Sequence, residues 1–480
     1  MPAVRSDPWQ HPEPPRGSSQ VVSSRSYEGR FGRLFRELPG AKFGSAGLAS
    51  LARSMLAPDK DLPLGTYDPD ENPAIPAGYT YFGQFITHDL TFDPTTLLDR
   101  QNDPAGLVDF RTPRFDLDSL YGRGPSAQPY LYGPRGSLLV GNSVSQKNQC
   151  AGPDLPRTGN GLAIIGDPRN DENKVVSQLH SLFIRFHNFV VGRTGDFDEA
   201  QRLVRWQYQW LVLNDFLPRF VPQPLIDRIL VPDLFDFPTG GAPIRMTGYK
   251  PQFRYYKPRK EAFLPVEFSA AAFRFGHSMV RGSYLISDDV APPAGRNRLP
   301  LFAADGQDLS ASGPLPPEWG VQWGYFFPIR AGQKYPQLSY LLDETLSDPL
   351  GSLPSSVVSD PPPSLPERTL RRGMLLELPS GQDVARLLGV PPIPDADLFA
   401  DNGLRAAFRS SAPLWYYILR EAKLVAGGQQ LGPVGATIVA EVIIGLLWSD
   451  AQSYLRRQPT WTPQFGNTLG ELVRRIGAPI

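Results

Sequence analysis

Apolar residues recur at helical spacing through DENKVVSQLHSLFIRFHNFVVGR (171–193) and DEAQRLVRWQYQWLVLNDFL (198–217). Both stretches open on acidic residues, which suit the positive end of a helix dipole, and the second is expected to stop at Pro218. YTYFGQFITHDLTF (79–92) lacks strand alternation and follows Pro76-Ala-Gly, so it too reads as a helix. A further helix is predicted over VEFSAAAFRFGHSMVR (266–281), with others at 367–377, 382–388, 413–426 and 434–457. Strand signals are few and short. The predicted class is mainly α with long connections and little β.

Composition sharpens this picture. The chain has 480 residues, 41% hydrophobic and 11% aromatic, enough for a large core and for about two or three domains by length alone. Its 52 prolines and 45 glycines interrupt helices often and imply long ordered connections. The clearest punctuation is SDPPPSLP (359–366), but the part beyond it carries no obvious site of its own. One catalytic domain over 26–480 is therefore expected, after a polar arm at 1–25, with GRFGRLFRELPGAKF (29–43) as a strap on its surface.

Lysine plus arginine and aspartate plus glutamate balance at 48 each, so no global field draws nucleic acid or an anionic membrane. A lone Cys150 excludes an intrachain disulfide and a cysteine-built zinc or iron–sulfur site. The opening MPAVRSDPWQHPEPPRGSSQ has prolines and charges where a Sec signal needs an apolar run. The longest apolar stretch, Val434 to Trp448, contains Glu441 and is too short for a membrane span. A soluble protein, cytoplasmic by default with leaderless secretion left open, is the expectation.

The five histidines are His11, His88, His180, His187 and His277. Gln84 and His88, four apart, share a helix face, while Asp89 turns about 100° away. One helix thus aims an imidazole at one site and a carboxylate at another. In Thr112-Pro-Arg-Phe-Asp116-Leu-Asp118, two carboxylates beside a threonine and a turn suit a hard cation such as calcium, although the spacing is not that of an EF-hand. Solvated loop acids are the plainer reading. Gly166-Asp-Pro-Arg169-Asn-Asp-Glu172 looks like a helix start, yet Arg169 and Glu172 also have the spacing to face one pocket. In Phe273-Arg274-Phe-Gly276-His277 the glycine leaves room for a flat group, and a buried neutral imidazole is a good iron ligand.

Taken in order, these motifs resemble the animal-type haem peroxidases, the family of myeloperoxidase, lactoperoxidase and the prostaglandin synthases. Gly83-Gln84-Phe-Ile-Thr87-His88-Asp89 is similar to the family's Gly-Gln-x-x-x-His-Asp helix, and residues 112–122 to its calcium loop. Arg169 ahead of His180 and His187-Asn188 resembles the catalytic arginine before His-x6-His-Asn, and Arg274-Phe-Gly-His277 the proximal Arg-x-Gly-His. The likeness spans roughly residues 29–457, closer to a bacterial branch than to the secreted, disulfide-bonded enzymes.

The resemblance implies haem b, with His277 as axial iron ligand, His88 as distal base, Arg169 as a fixed positive charge and Gln84 holding distal water. It implies calcium on Asp89, Thr112, Asp116, Asp118 and the carbonyl of Arg114, and Arg274 paired with a haem propionate. His180 and His187 are expected to be structural. The implied reaction reduces hydrogen peroxide to water through a ferryl intermediate, which halide, thiocyanate or a small phenolic donor then reduces. Thr87 replaces the aspartate that forms one haem ester in the mammalian enzymes, while Glu172 leaves one ester chemically open. Asn173 replaces the methionine of the sulfonium link. The asparagine that holds the proximal histidine aligns with Thr369, and Arg372 lies beyond it. The rivals are a fatty-acid dioxygenase, whose radical tyrosine is here Arg274, and a haem scaffold without turnover, which has no need of His88 and Arg169.

Overall fold

A computed structural model describes residues 29–58, 62, 65–91, 108–109, 111–142, 153–235, 245–258, 261–288, 298–310, 312–329, 336–358 and 360–477. The expected arm at 1–25, His11 and Cys150 lie outside these residues. The protein is mainly α, with small two- and three-stranded sheets and no closed barrel among the described residues.

In chain order the helices used below are α1 (Ser45–Ser54), α2 (Gly78–Leu90), α3 (Lys174–Thr194), α4 (Phe197–Trp210), α5 (Leu365–Leu375), α6 (Gly381–Leu388), α7 (Leu414–Ala426) and α8 (Pro433–Ser449). Helices α3 and α4 occupy the two most strongly patterned stretches and pack on each other, and α2 packs on α3. Helices α3 and α4 each have a local start signal. The Asn173 side chain accepts from the amides of Val175 and Val176 at α3, and Asp196 accepts from that of Glu199 at α4. Asn173 therefore excludes 171–173 from the helix predicted there, and residues Pro168–Asp171 form a separate 3-10 turn.

Three predicted helices differ in the structure. The run beyond α4 does not end at Pro218: a π-helical segment, Leu211–Phe216, leads into Leu217–Phe220. Proline lacks the amide an α-helical ladder would need at that point, and the widened turn changes the hydrogen-bond register just before it. The 266–281 stretch breaks into Val266–Ser269 and a 3-10 turn, Ala272–His277, because Ala271 leaves helical geometry (φ −134°, ψ −73°). Arg274 Nε then satisfies the freed carbonyl of Ser269 at 3.0 Å. The 434–457 stretch divides into α8 and Tyr454–Arg457, separated at Asp450, whose backbone is extended. Helix α1 had no counterpart in the predicted pattern.

The strap at 29–43 is tied down. Strand Gly29–Gly32 runs antiparallel to Val108–Asp109 and parallel to Leu264–Pro265. The buried Glu267 carboxylate then accepts from the amides of Leu34 at 3.0 Å and Phe35 at 3.2 Å. An aromatic column forms the part of the core that matters most for the site. Phe85 stacks on Phe183 at 5.0 Å, Phe82 meets Phe216 at 5.7 Å, and Phe216 meets Phe273 at 6.1 Å. These rings join α2 to the 272–277 turn, so histidines on two distant segments are held in fixed relation.

Candidate active site

A cavity of about 570 Å³ lies between α2 and the 272–277 turn. Its wall includes Gln84, His88, Arg169, Glu172, Arg274 and His277. Six of the residues singled out from sequence, spread over nearly two hundred positions, therefore meet at one space.

On one side His88 projects from α2. Burial, followed by the nearby Arg169 cation, pushes its imidazole down to about 4, so it is neutral at pH 7. Its Nδ1 lies 2.8 Å from Asn170 Oδ1, and Asn170 Nδ2 lies 2.9 Å from Nδ1 of His180. Neither contact was visible in the sequence, where Asp167-Pro168 signals only a helix start. Arg169 Nη2 donates to the carbonyl of His88 at 2.9 Å, to that of Thr91, and to Asp167 Oδ2 at 2.7 Å. The guanidinium is thus locked to the backbone that carries His88. Asp167 in turn is fully buried, and the two arginines Arg169 and Arg111 hold its carboxyl well below the usual range against the cost of burial. Thr87 turns back to Gly83 O at 2.9 Å. Asn173 spends its side chain as the α3 cap. Burial raises the Glu172 carboxyl above its ordinary value.

His277 lies on the 272–277 turn, 5.9 Å from the Trp415 ring, edge to face. Trp415 Nε1 holds the turn by donating to Arg274 O at 3.1 Å. Burial, followed by the Arg274 cation, lowers the His277 imidazole to about 3, so it too is neutral. Its Nδ1 is buried with no hydrogen-bond partner. The expected Thr369 acceptor is not brought to it. Thr369 lies on α5, donates to Leu365 O at 2.9 Å, and lines a separate small gap with Ala270 and Trp415. A threonine within a helix satisfies its hydroxyl on the preceding turn at no cost in packing, and that local bond prevails here. Arg274 is pushed down to about 9, first by burial and then by repulsion from Arg372.

These residues fit a haem. A cavity of this size, about 570 Å³, takes a molecule of a few hundred daltons. A Cβ placed on Gly276 would meet nothing within 4 Å, leaving the cavity face beside His277 open to a flat group. Arg274 and Arg372 supply positive charge that suits carboxylate side arms.

A second cluster adjoins the first. Oxygens of Asp89, Asp116 and Asp118 lie within 4.8 Å of one another. Asp89 points away from His88, as the helical angle predicts, and accepts from Leu117 N at 3.2 Å and Ser119 Oγ at 3.4 Å. Thr112 Oγ1 donates to Asp116 Oδ2 at 2.8 Å, and Arg114 sits in the same loop. Leu117, between two of the acids, is held at φ 57°, ψ 38°, a left-handed conformation costing a leucine about 1 kcal/mol. Burial raises the Asp89 carboxyl well above its ordinary value, and Asp116 and Asp118 raise it further. Burial also raises Asp118 to about 7 despite the Arg111 cation 3.1 Å away. Such crowding of buried negative charge suits a divalent cation. The loop and the Arg169 turn are in direct contact: a Cβ on Gly166 would fall 2.5 Å from Ser119 O, so only glycine allows this approach. His187 is structural, with Nε2 donating to Gly136 O at 3.0 Å and Nδ1 accepting from the Tyr121 hydroxyl at 3.1 Å.

A largely helical fold thus brings two neutral histidines to the wall of one large cavity. The sequence pattern of the animal haem peroxidase family matches residues 100–304. A peroxidase-like protein of Margaritifera margaritifera is 25% identical over 354 residues, 58% of this chain and 41% of that protein. Chorion peroxidase of Aedes aegypti is 29% identical over 138 residues, 27% of this chain and 16% of that protein. The chain thus spans well under half the length of these relatives. Peroxidase A of Dictyostelium discoideum has the same fold, with a TM-score of 0.59 at 16% identity, covering 96% of this chain and 94% of that one. A fatty acid alpha-dioxygenase of Arabidopsis thaliana follows at a TM-score of 0.52 and 15% identity, covering 95% and 78%. Over residues 100–304 the chain is thus similar to the animal haem peroxidase family, and over nearly its whole length it shares the fold of these solved structures. No helix among the described residues is long and apolar enough to cross a membrane.

Proposed function

We propose that this protein is a haem peroxidase that reduces hydrogen peroxide to water at the expense of a halide, thiocyanate or small organic donor. The observation that carries this reading is the convergence of His88, Arg169 and His277 on one cavity. His277 would hold the haem iron through its imidazole, and Arg274 with Arg372 would receive the carboxylate arms. Haem, when bound, supplies the redox chemistry. The rest falls to the chain. The neutral imidazole of His88 takes a proton from the peroxide and returns it to the departing oxygen, a transfer worth about 10²–10⁴-fold. Arg169, fixed by Asp167 and the His88 carbonyl, offers a positive charge that needs no rearrangement as the O–O bond polarises. Gln84, on the same wall, holds water or a small anion. Glu172, on the wall of the same cavity, would be the residue to carry one ester link to the cofactor, with peroxide as the oxidant that forming it requires.

Asp89, Asp116 and Asp118, with Thr112 and the Arg114 carbonyl, bind calcium in this reading. The cation braces α2, because Asp89 is covalently next to His88. A dioxygenase reading shares the fold but meets Arg274 where its radical tyrosine would stand. The test is an absorption spectrum of the purified protein before and after peroxide, in a stopped-flow mixer. A Soret band that shifts within the mixing experiment is expected. Absence of the band, even after added haemin, refutes the proposal.

A further inference from the structure

We infer that Asn170, backed by His180, is a positioning residue that fixes the tautomer of His88, keeping the proton on Nδ1 and the lone pair of Nε2 toward the cavity. The consequence for catalysis rests on the peroxidase reading. The tautomer itself does not.

An asparagine side chain has one end that accepts and one that donates. Asn170 is fully buried, and its two ends each meet the Nδ1 of a different imidazole, at 2.8 Å for His88 and 2.9 Å for His180. With Oδ1 toward His88, the Nδ1 there must carry the hydrogen. A neutral imidazole has one hydrogen, so His88 Nε2 is then an acceptor. With Nδ2 toward His180, the Nδ1 of that ring must accept, and its hydrogen sits on Nε2. The three groups form one directed chain in which every contact pairs a donor with an acceptor.

The reverse chain, with the amide turned end for end, would present an N–H from His88 to the cavity and leave no base there. Arg169 opposes that arrangement. It lines the same cavity, and a cation beside the ring favours the lone pair over a positive N–H edge. The frame is also rigid. Asn170 belongs to the 3-10 turn Pro168–Asp171, which Asp167 caps by accepting from the Arg169 amide at 3.0 Å, while His180 lies on α3 among buried side chains. Burying an amide and two imidazoles where apolar side chains would pack is costly unless each polar atom is used. Here the buried contacts determine which ring atom remains free on the cavity side.

The test uses protein labelled with ¹⁵N-histidine, haem-loaded and reduced under carbon monoxide so that the iron is diamagnetic. With five histidines in the chain, the ring signals are few, and His88→Ala and His180→Phe assign them. The expected result is a proton on Nδ1 of His88 and on Nε2 of His180. In Asn170→Val, His88 should show both tautomers. Its kcat/KM for peroxide should fall at least about tenfold, with the Soret band and the KM for the reducing donor unchanged. A proton on His88 Nε2 in the unaltered protein overturns the inference, as does an unchanged tautomer in Asn170→Val. Should that variant fail to fold, the unaltered protein still decides the point. A protein that takes up no haem defeats the peroxidase reading, yet the same ring signals report the tautomer.

Discussion

Arg111 joins the two clusters, and its removal makes a quantitative prediction. Its guanidinium lies 3.1 Å from Asp118 and 2.7 Å from Asp167, with side-chain exposures of 9%, 23% and 0%. In Arg111→Met, Asp167 keeps Arg169 at 2.7 Å and stays compensated. Asp118 does not: it is left beside Asp89 and Asp116 with its neighbouring cation gone. Breaking a buried pair from one side costs about 3–5 kcal/mol, and the surviving Asp167–Arg169 pair points to the lower end, about 3 kcal/mol. Calcium should narrow this difference because the variant, freed of a competing positive charge, binds the ion more tightly than the unaltered protein; a Kd about 100-fold lower would recover about 2.7 kcal/mol. The assay is urea unfolding of both proteins in chelator and in excess calcium. A large loss in chelator and a small one in calcium is expected. An equal loss under both conditions, or no calcium effect on either protein, refutes the charge-balance argument.

Other outcomes follow from the same structure. His88→Ala should retain haem while the rate of peroxide reduction falls by about 10²–10⁴-fold in stopped-flow traces, whereas His277→Ala should lose the haem or scramble its spectrum. If Glu172 carries an ester, acid–acetone extraction leaves haem on the chain, and Glu172→Gln releases it; complete extraction from the unaltered protein rules the link out. Glu421, buried on α7, accepts from Val434 N at 2.9 Å and has its carboxyl raised by burial from 4.5 to about 7. The folded state therefore holds this proton more tightly than the unfolded chain does. The stability it contributes is fully present below about pH 4.5 and lost as pH rises toward 7, about 3 kcal/mol in all. Glu421→Gln should flatten that part of the stability–pH curve; an unchanged slope would locate the effect elsewhere.

Local periodicity carried a good share of the site. Because 3.6 residues make a turn, the spacing within Gly83–Asp89 was enough to put Gln84 and His88 on one face and Asp89 on another. The acidic residues that open the 198–217 stretch marked a helix start through the helix dipole, although the cap itself is Asp196, two residues earlier. The broken helix at 266–281 was not. Its residues favour a continuous helix on pattern, and the break at Ala271 is paid back by the Arg274 contact to Ser269 and by docking against Trp415, more than a hundred residues away.

What the chain's own order of residues determined was which side chains each short segment could present, and on which face. Only the folded molecule decided which of those faces meet. Asn170 gave no sign of joining His88 and His180, and Thr369 aligned with a role its own helix had already taken up. Hydrogen-bond direction and charge balance between distant segments depend on packing of the whole core, and no local pattern encodes them.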